Sequence, residues 1–431
     1  MKKTRSYNIG IYGATGSYDF GDYCMLVDNI MKLDKAIDGS HFFVFTPDSL
    51  ITNDNIYQNI CDTELLSRII IVDDGVYTSR EPMTDKFVRR AQYAGSQEGY
   101  DAAVMCLDSI CEKGRTVLPD ELAKVFETLD LMIFNGGGYF QNSWNSLNID
   151  FSLYILISKM YRIPVFMMGN SFGPLSDIYS SFVFPILKLV DGIIVRDGVH
   201  RSYELLLLNQ LKTEKICVNT DDLFFHEPVN NFNDCAILSS MQKGYVVIEV
   251  MMWIRRCVNG EKSVLDILAL FMNHLVKNGY GVVLINFDKN DTVAQKCISK
   301  LSEGFSFDNV QVVNQITSID QVYSIYSSCV FSVSMKYHPV ILALSYNHPC
   351  VGIICDYDGY YESKLCGAFE SLGIMNSENY VKHINDLNIE WLIECFENRG
   401  TFEVDKEKIE ELRTGRESYM ERIIESLIVP T

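Results

Sequence analysis

The sequence is poor in positive charge. Its 431 residues include 37 Lys and Arg against 56 Asp and Glu, which gives a formal net charge of -19. Proteins that bind nucleic acid present an excess of basic residues, so we expect no nucleic-acid partner. An anionic substrate would have to be held by local lysines, arginines and helix N-termini, because the field of the whole chain repels it.

The cysteine spacing that binds zinc is missing too. The 13 cysteines are scattered between Cys24 and Cys395, and Cys-x-x-Cys does not occur. This pattern excludes the common zinc sites and indicates reduced, mostly buried thiols, as in cytoplasmic proteins. We therefore predict that the protein has no metal site.

Long apolar runs are absent as well. The stretch MKKTRSYNIGIYGATGSYDFGD begins with basic residues but lacks the apolar core of a signal peptide. The most apolar stretch elsewhere, FVFPILKLVDGIIV, is interrupted by Lys188 and Asp191. A membrane-spanning helix needs about 20 consecutive apolar residues. We therefore expect a cytoplasmic protein, which would meet a membrane only at its surface.

Short β-branched apolar runs alternate with amphipathic segments along the chain. Runs such as YNIGIYG, LMIFNGGG and GVVLINFD predict buried strands of parallel sheets. Between such runs, the segment 263–279 has the apolar spacing of a helix and closes on Gly279. This alternation is typical of doubly wound α/β folds, in which ligands bind at the carboxyl ends of the strands.

Two such domains are expected, since single hydrophobic cores rarely exceed about 250–300 residues. The polar segment 226–244 predicts the junction between them. We predict an N-terminal Rossmann-like domain over 1–230, a C-terminal Rossmann-like domain over 240–400 and a C-terminal helix over 401–431. The two domains are expected to face a central cleft.

The stretch SVSMKYHPVILALSYN places two basic side chains where a predicted strand passes into a predicted helix. His338 precedes Pro339, which favours extended backbone at His338 and a helix that starts at Pro339. Lys336 and His338 would then lie on a loop at the helix N-terminus, where free N–H groups and the helix dipole favour an anion. The alternative is a histidine that only caps the loop.

The first predicted strand leads into a loop that contains glycines, and Asp22 follows at the start of a helix. The loop matches neither G-x-G-x-x-G nor GK[ST], so neither a dinucleotide fingerprint nor a P-loop is supported. Asp22 would be a general base, a ligand of a substrate hydroxyl or a helix cap.

Two later turns combine glycines with polar or aromatic side chains. In FNGGGYFQNSWN, the aromatic side chains of Tyr139, Phe140 and Trp144 would stack on a sugar, or the glycines would form a tight packing corner. In GNSFGP, polar side chains would bind sugar hydroxyls or form a plain turn. The candidate sugar-binding residues are Gly136, Gly137, Gly138, Tyr139, Asn170 and Ser171.

Charged side chains end two further predicted strands. Arg196 ends GIIVRD, an unusual position for arginine unless the side chain is paired or binds an anion. Asp221 and Asp222 end KICVNTDD, where they would be acid–base groups or turn residues.

In this order the motifs resemble the polysaccharide pyruvyl transferase family. The chain has SYDFGD for the family's N-x-G-D loop, then the triple glycine, GNSFGP and VRD, and a strand-end aspartate at Asp221. SMKYH and CDYDGYYESK, with Lys364, complete the series. Lys336 stands where the family has arginine and Asp19 where it has asparagine. Lysine, unlike arginine, cannot grip an anion in two-pronged fashion.

The resemblance implies a glycosyltransferase-B-like α/β fold and transfer of pyruvate from phosphoenolpyruvate to a sugar as a ketal. It implies no cofactor, and an acceptor that belongs to a cell-wall polymer, capsule or exopolysaccharide, often a lipid-linked precursor. The N-terminal domain would be the acceptor side and the C-terminal domain the donor side. The residues assigned to the donor are Arg196, Lys336, Lys364 and Pro339. Those assigned to proton transfer are His338, Asp22 and Asp221.

Two other functions stay open from the residues alone. A nucleotide-sugar glycosyltransferase would share the two-domain scaffold, although no E-x₇-E-like pair is evident in the sequence. A non-catalytic glycan-binding relative is the other alternative, given the lysine at position 336.

Overall fold

The computed structural model describes residues 6–13, 15–73, 118–142, 145–228, 243–306, 308–314, 316–356 and 358–428. The chain forms two compact units. Unit 1 comprises Met1–Ser17, Met25–Asp222 and Glu411–Thr431, and unit 2 comprises Tyr18–Cys24 and Leu223–Glu410. Trp144 and most of the predicted junction lie outside the described residues.

Unit 1 is built on a parallel sheet. Its strands in the described residues are β1 (Asn8–Tyr12), β2 (His41–Thr46), β3 (Ile69–Asp73), β4 (Leu131–Phe134), β5 (Gly137–Phe140), β6 (Val165–Phe172), β7 (Gly192–Val195) and β8 (Ile216–Val218). They run in the order β3-β2-β1-β4-β6-β7-β8, with β5 paired to β6. The order reverses between β1 and β4, so the ligand-binding crevice of such a sheet is expected at their carboxyl ends.

Helices connect these strands and cover the sheet. They are α1 (Phe20–Ala36), α2 (Ser49–Asn59), α3 (Thr63–Ser67), α4 (Asp120–Thr128), α5 (Asn145–Met160), α6 (Asp177–Leu187) and α7 (Glu204–Leu208). The first turn of α1 belongs to unit 2 and the rest to unit 1. Apolar and aromatic side chains fill the space between sheet and helices; Tyr12, for example, stacks on Tyr154 at 4.1 Å between ring centroids.

Unit 2 is a second parallel sheet with a core of its own. Its strands in the described residues are β9 (Tyr245–Glu249), β10 (Gly281–Ile285), β11 (Val310–Val313), β12 (Phe331–Ser334), β13 (Cys350–Ile354) and β14 (Val381–His383). They run in the order β11-β10-β9-β12-β13-β14. Here the order reverses between β9 and β12, which makes the carboxyl ends of these two strands the expected ligand-binding position.

The helices of unit 2 follow the same alternation. They are α8 (Glu261–Lys277), α9 (Thr292–Ser302), α10 (Ile319–Ser327), α11 (Tyr337–Ser345), α12 (Tyr360–Glu370) and α13 (Ile389–Glu397). The last helix, α14 (Lys406–Ile428), begins in unit 2 and continues in unit 1 from Glu411. In the described part of the chain, no helix is both long and apolar enough to cross a membrane.

The predicted α/β fold class is confirmed, and the apolar runs predicted as strands form strands. Two strands were missed. β5 consists of the glycines and aromatics of GGYF, a composition that predicts a turn, and β14 is only three residues long. The domain limits 1–230, 240–400 and 401–431 stay a prediction. In the structure, the chain passes from unit 1 to unit 2 between Asp222 and Leu223.

Candidate functional site

The carboxyl end of β12 leads directly into α11, and this connection carries the two predicted basic side chains. The helix begins at Tyr337, with Lys336 as its extended N-cap residue, so the predicted start at Pro339 is two residues too late. Proline is tolerated in the first helical turn because its missing N–H would have no partner there. His338 therefore lies in the first turn of α11 and not on a loop before it.

The ring of His338 packs on the backbone of Gly21. A Cβ atom built on Gly21 would lie 1.7 Å from His338 Nδ1, so only glycine allows this approach. His338 is 7% exposed, and its ring contacts that of Tyr337 edge to face at 5.4 Å. Asp22, the residue after Gly21, lies in the first turn of α1 and is partly exposed.

Lys336 forms an ion pair with Asp19 on the loop before α1. Lys336 Nζ donates to Asp19 Oδ2, and Asp19 Oδ1 accepts the N–H of Gly21 at 3.1 Å. The Lys336 side chain is 9% exposed and that of Asp19 is 28% exposed. Burial would raise the pKa of Asp19, but the charges of Lys336 and His338 and the two hydrogen bonds outweigh it and hold this pKa below its ordinary value.

A second carboxyl group, Glu249, approaches the same turn from the end of β9. Its Oε2 atom accepts the N–H groups of Met335 at 2.8 Å and Lys336 at 2.9 Å. The side chain is fully buried, and burial raises its pKa to about 7 against the effects of Lys336 and the two amides. Sequence reasoning missed Glu249; the signal was an acidic residue inside the apolar run YVVIEV.

Lys364, on α12, lies among tyrosine rings. Its Nζ atom donates to Tyr360 Oη at 3.0 Å and lies 4.7 Å from the centroid of the Tyr360 ring. The ring centroids of Tyr337 and Tyr361 are 5.0 and 5.5 Å from the same atom. Aromatic faces attract a cation, so these rings hold the ammonium group in a buried position. Tyr337 links this cluster to His338.

In unit 1, Arg196 is fully buried and ion-paired. Its Nη1 atom donates to Asp221 Oδ2 at 2.5 Å, and its Nε atom donates to Ser171 Oγ at 3.2 Å. Asp221 is fully buried as well. The structure thus brings together three predicted residues, Arg196, Asp221 and Ser171, and it pairs the charge of Arg196 with that of Asp221.

Asp222 is the centre of a second buried charge cluster in unit 1. Its carboxylate accepts the N–H of Gly169 and the amide of Asn29, both at 3.1 Å, and it is ion-paired with Arg416 on α14. Lys32 donates to the Asp222 carbonyl at 3.1 Å. Sequence reasoning missed Arg416, because it lies on a helix with a strongly charged sequence that gives no sign of its buried position.

The triple glycine makes room for other side chains of unit 1. A Cβ on Gly136 would lie 2.3 Å from Asp222 Oδ2, and one on Gly137 would lie 2.0 Å from the ring of Tyr139. Tyr139 is 6% exposed, stacks on Phe151 at 5.1 Å and donates to the Gly136 carbonyl at 3.0 Å. These contacts favour the packing interpretation of this turn.

The other residues predicted to bind the acceptor sugar also lie in the interior of unit 1. Asn170 is fully buried on β6 and donates to the Met168 carbonyl at 2.6 Å. Phe140 is fully buried and stacks on Phe172 at 5.0 Å. Gly138 lies within β5. Among the described residues, no group of three or more His, Cys, Asp or Glu side chains could hold a metal ion.

Comparison with known proteins identifies the family of the chain and supports its fold. The family model described as polysaccharide pyruvyl transferase matches residues 42–357. A UDP-GlcNAc 2-epimerase from Neisseria meningitidis bound to UDP-GlcNAc has a TM-score of 0.56 at 12% identity, over 98% of this chain and 99% of that one. A UDP-GlcNAc 2-epimerase from Methanocaldococcus jannaschii has a TM-score of 0.55 at 9% identity, over 92% of each chain.

A third solved structure, the MnaA-UDP co-structure from S. aureus, has a TM-score of 0.54 at 9% identity, over 95% of this chain and 90% of that one. At such identities the likeness describes the fold. The chain, with its two parallel sheets and flanking helices, therefore has the glycosyltransferase-B-like α/β fold that the family resemblance implies.

Proposed function

This chain belongs to the polysaccharide pyruvyl transferase family, and we propose that it transfers pyruvate from phosphoenolpyruvate to a sugar, forming a ketal. The observation that carries the proposal is the turn at the carboxyl end of β12. There Lys336 and His338 stand at the N-terminus of α11, beside the point where the strand order of unit 2 reverses. Such a position suits an anionic ligand.

Phosphoenolpyruvate carries a carboxylate and a phosphate, so its binding needs positive groups. In the proposal, Lys336 binds one anionic group together with the first-turn N–H groups of α11. Pro339 contributes by shaping this first turn. Lys364, held among its tyrosines, binds the other. Arg196 is proposed as a further donor ligand on the strength of the family resemblance.

The reaction forms two C–O bonds to the same carbon, the first by addition and the second by displacement of phosphate. The oxygen of one sugar hydroxyl bonds to C2 of phosphoenolpyruvate, while C3 takes up a proton and becomes a methyl group. A second hydroxyl then displaces phosphate from C2 and closes the ketal. We propose that His338 supplies the proton to C3 or to the leaving phosphate, since histidine exchanges protons near neutral pH. Fixed positive charges stabilise the departing phosphate.

A base must accept the protons of the two hydroxyls, and Asp22 is the better of the two candidates. Asp22 is partly exposed and follows Gly21, on which the ring of His338 packs. Asp221 is fully buried and paired with Arg196, so proton uptake there would leave a buried guanidinium without its counter-charge. We therefore propose Asp22 as the base and Asp221 as the partner that orients Arg196.

We propose that the acceptor is a sugar of a surface polysaccharide, such as a capsule, cell-wall or exopolysaccharide unit, presented as a lipid-linked precursor at the cytoplasmic membrane surface. Gly136, Gly137, Gly138, Tyr139, Asn170 and Ser171 form the proposed acceptor side. Because these residues are buried, their proposed part is to shape the carboxyl edge of the unit 1 sheet.

Phosphate release from phosphoenolpyruvate with candidate acceptors tests the function. We expect release that depends on both substrates, and its loss in His338→Ala and Arg196→Ala. Wild-type turnover in either variant would contradict the role given to that residue. Thermal stabilisation by UDP-sugars instead of phosphoenolpyruvate would identify a nucleotide-sugar glycosyltransferase, and a response to glycan alone would identify a glycan-binding protein.

A further inference from the structure

Glu249 contacts the turn formed by Met335 and Lys336 before α11, which is called the donor turn below because it carries the proposed donor ligand Lys336. β9 and β12 are the two strands between which the strand order reverses, and Glu249 is the last residue of β9. Its Oε2 atom accepts two consecutive amide groups of the turn, those of Met335 and Lys336. Neither the sequence motifs nor the proposed mechanism gives Glu249 a role.

We propose that Glu249 is a positioning residue for the donor. Its carboxyl group fixes the backbone of the turn that carries Lys336 and His338, and its ionisation sets the net charge that this turn offers to an anion. This inference rests on the proposed transfer from phosphoenolpyruvate.

Burial makes the contact of Glu249 with the backbone of the turn important for the turn's conformation. Lys336 and Met335 are 7% and 0% exposed, so water does not readily replace a lost acceptor for their amides. An unpaired buried N–H costs about 1–3 kcal/mol. The two hydrogen bonds to one oxygen therefore restrain the backbone of the turn, including Lys336 at the N-cap position of α11.

The charge of Glu249 acts within a small set of titratable groups. The titratable groups whose charge acts on Glu249, or on which its charge acts, are Lys336 from the turn, Asp19 from the loop before α1, Tyr326 from α10, Tyr361 from α12 and Cys355 after β13. Of these, only Lys336 is a cation. The Oε1 atom of Glu249 has no hydrogen-bond partner among the described residues, so it is the oxygen that carries the proton while the carboxyl group is neutral.

Ionisation of Glu249 therefore lowers the net positive charge at the turn near neutral pH. Burial raises the pKa of Glu249 to about 7. Below this pH the carboxylates that oppose the charge of Lys336 are those of Asp19 and Asp288. Above it, the carboxylate of Glu249 opposes the same ammonium group as well, and an anionic donor is held less tightly.

The test compares Glu249→Gln with the wild type across pH 6 to 8.5. Glutamine keeps an oxygen that accepts the two amides but cannot ionise. We expect similar KM values for phosphoenolpyruvate at pH 6 and a wild-type KM about fivefold above that of the variant at pH 8. Titration of the donor itself affects both proteins equally. A ratio of KM values that does not change with pH would overturn the charge part of the proposal.

Glu249→Ala removes the acceptor as well as the charge. We expect a lower kcat/KM at every pH, and faster hydrogen exchange at the amides of Met335 and Lys336 than in Glu249→Gln. Equal exchange in the two variants would overturn the backbone part. Glu378→Gln, an exposed change in the same unit, is the matched control. Exchange is measured without donor, so it decides the anchoring role even if the wild type fails to use phosphoenolpyruvate, an outcome that would refute the proposed function instead.

Discussion

Asp19 and Lys336 are the two residues that depart from the family pattern, and they contact each other. An asparagine and an arginine at these positions would leave the arginine charge unopposed by this neighbour. Here both partners are charged, so the aspartate offsets part of the lysine charge. The two departures are therefore parts of one local arrangement, which gives the donor turn a smaller net positive charge.

Asp19→Asn should strengthen donor binding, because it removes a carboxylate but keeps an oxygen for the Gly21 amide. We expect the KM for phosphoenolpyruvate to fall by about fivefold, a modest change because Asp19 is partly exposed and screened by solvent. Steady-state kinetics at fixed pH and ionic strength measure it. Glu403→Gln, an exposed change in unit 2, should leave the KM unchanged. An equal KM in Asp19→Asn and the wild type would contradict the charge argument.

Gly21→Ala should displace the ring of His338, because a Cβ atom at this position overlaps the imidazole. We expect kcat to fall by about 100-fold, the lower end of what general acid–base catalysis contributes, while the circular dichroism spectrum stays that of the wild type. Gly400→Ala is the control, since a Cβ there meets no atom within 4 Å. Unchanged kcat in Gly21→Ala would argue against a catalytic imidazole in this position.

At the scale of elements, α14 contributes side chains and hydrogen bonds to unit 1. Arg416 reaches Asp222, Tyr419 donates to the Met167 carbonyl at 2.8 Å, and Asn219 donates to the Leu412 carbonyl at 2.7 Å. The helix thereby supplies a cation and several hydrogen bonds to the carboxyl edge of the unit 1 sheet. Without Arg416, the carboxylate of Asp222 would be buried with only neutral donors to its oxygens.

Arg416→Gln should destabilise the fold by about 3–5 kcal/mol, the usual cost of removing one partner of a buried ion pair. Urea unfolding followed by circular dichroism measures the change. The double variant Arg416→Gln with Asp222→Asn should be less destabilised than the sum of the single variants, because no buried charge remains alone. Arg413→Gln, on the exposed face of the same helix, is the control. Strict additivity of the two changes would show that the ion pair contributes nothing.

At the scale of the whole molecule, several buried acids prefer their neutral form. Burial raises the pKa of Glu249 to about 7 and the pKa values of Asp197 and Asp356 to about 6. Each group stabilises the fold fully below its unfolded pKa, and this contribution is lost as the pH rises through the folded pKa. The net charge of -19 adds self-repulsion in the same direction as the pH rises.

The free energy of unfolding should therefore fall between pH 5 and pH 8. Glu249 alone, whose pKa moves from 4.5 to about 7, should account for about 3 kcal/mol at 1.36 kcal/mol per pH unit. Urea unfolding at half-unit pH steps measures the slope, and Glu249→Gln should reduce it. A stability that rises over this range would contradict the buried, neutral state of these acids.

The sequence by itself determined most of the strands, several of the helices and the family. Apolar runs and helical spacing are local properties, and each of the ordered motifs can be recognised within a short stretch of sequence. The strand β5 and the early start of α11 were not predicted from the sequence, because glycines and a first-turn proline are compatible with more than one local structure.

Only the tertiary structure decided which charges meet. Asp19 lies 317 residues from Lys336, Glu249 lies 87 residues from Lys336, and Asp222 lies 194 residues from Arg416. Such pairs form because parallel strands bring their carboxyl ends to one edge of a sheet and because α14 returns to unit 1. No local pattern records a contact over these separations, so the partner of each buried charge became known only from the fold.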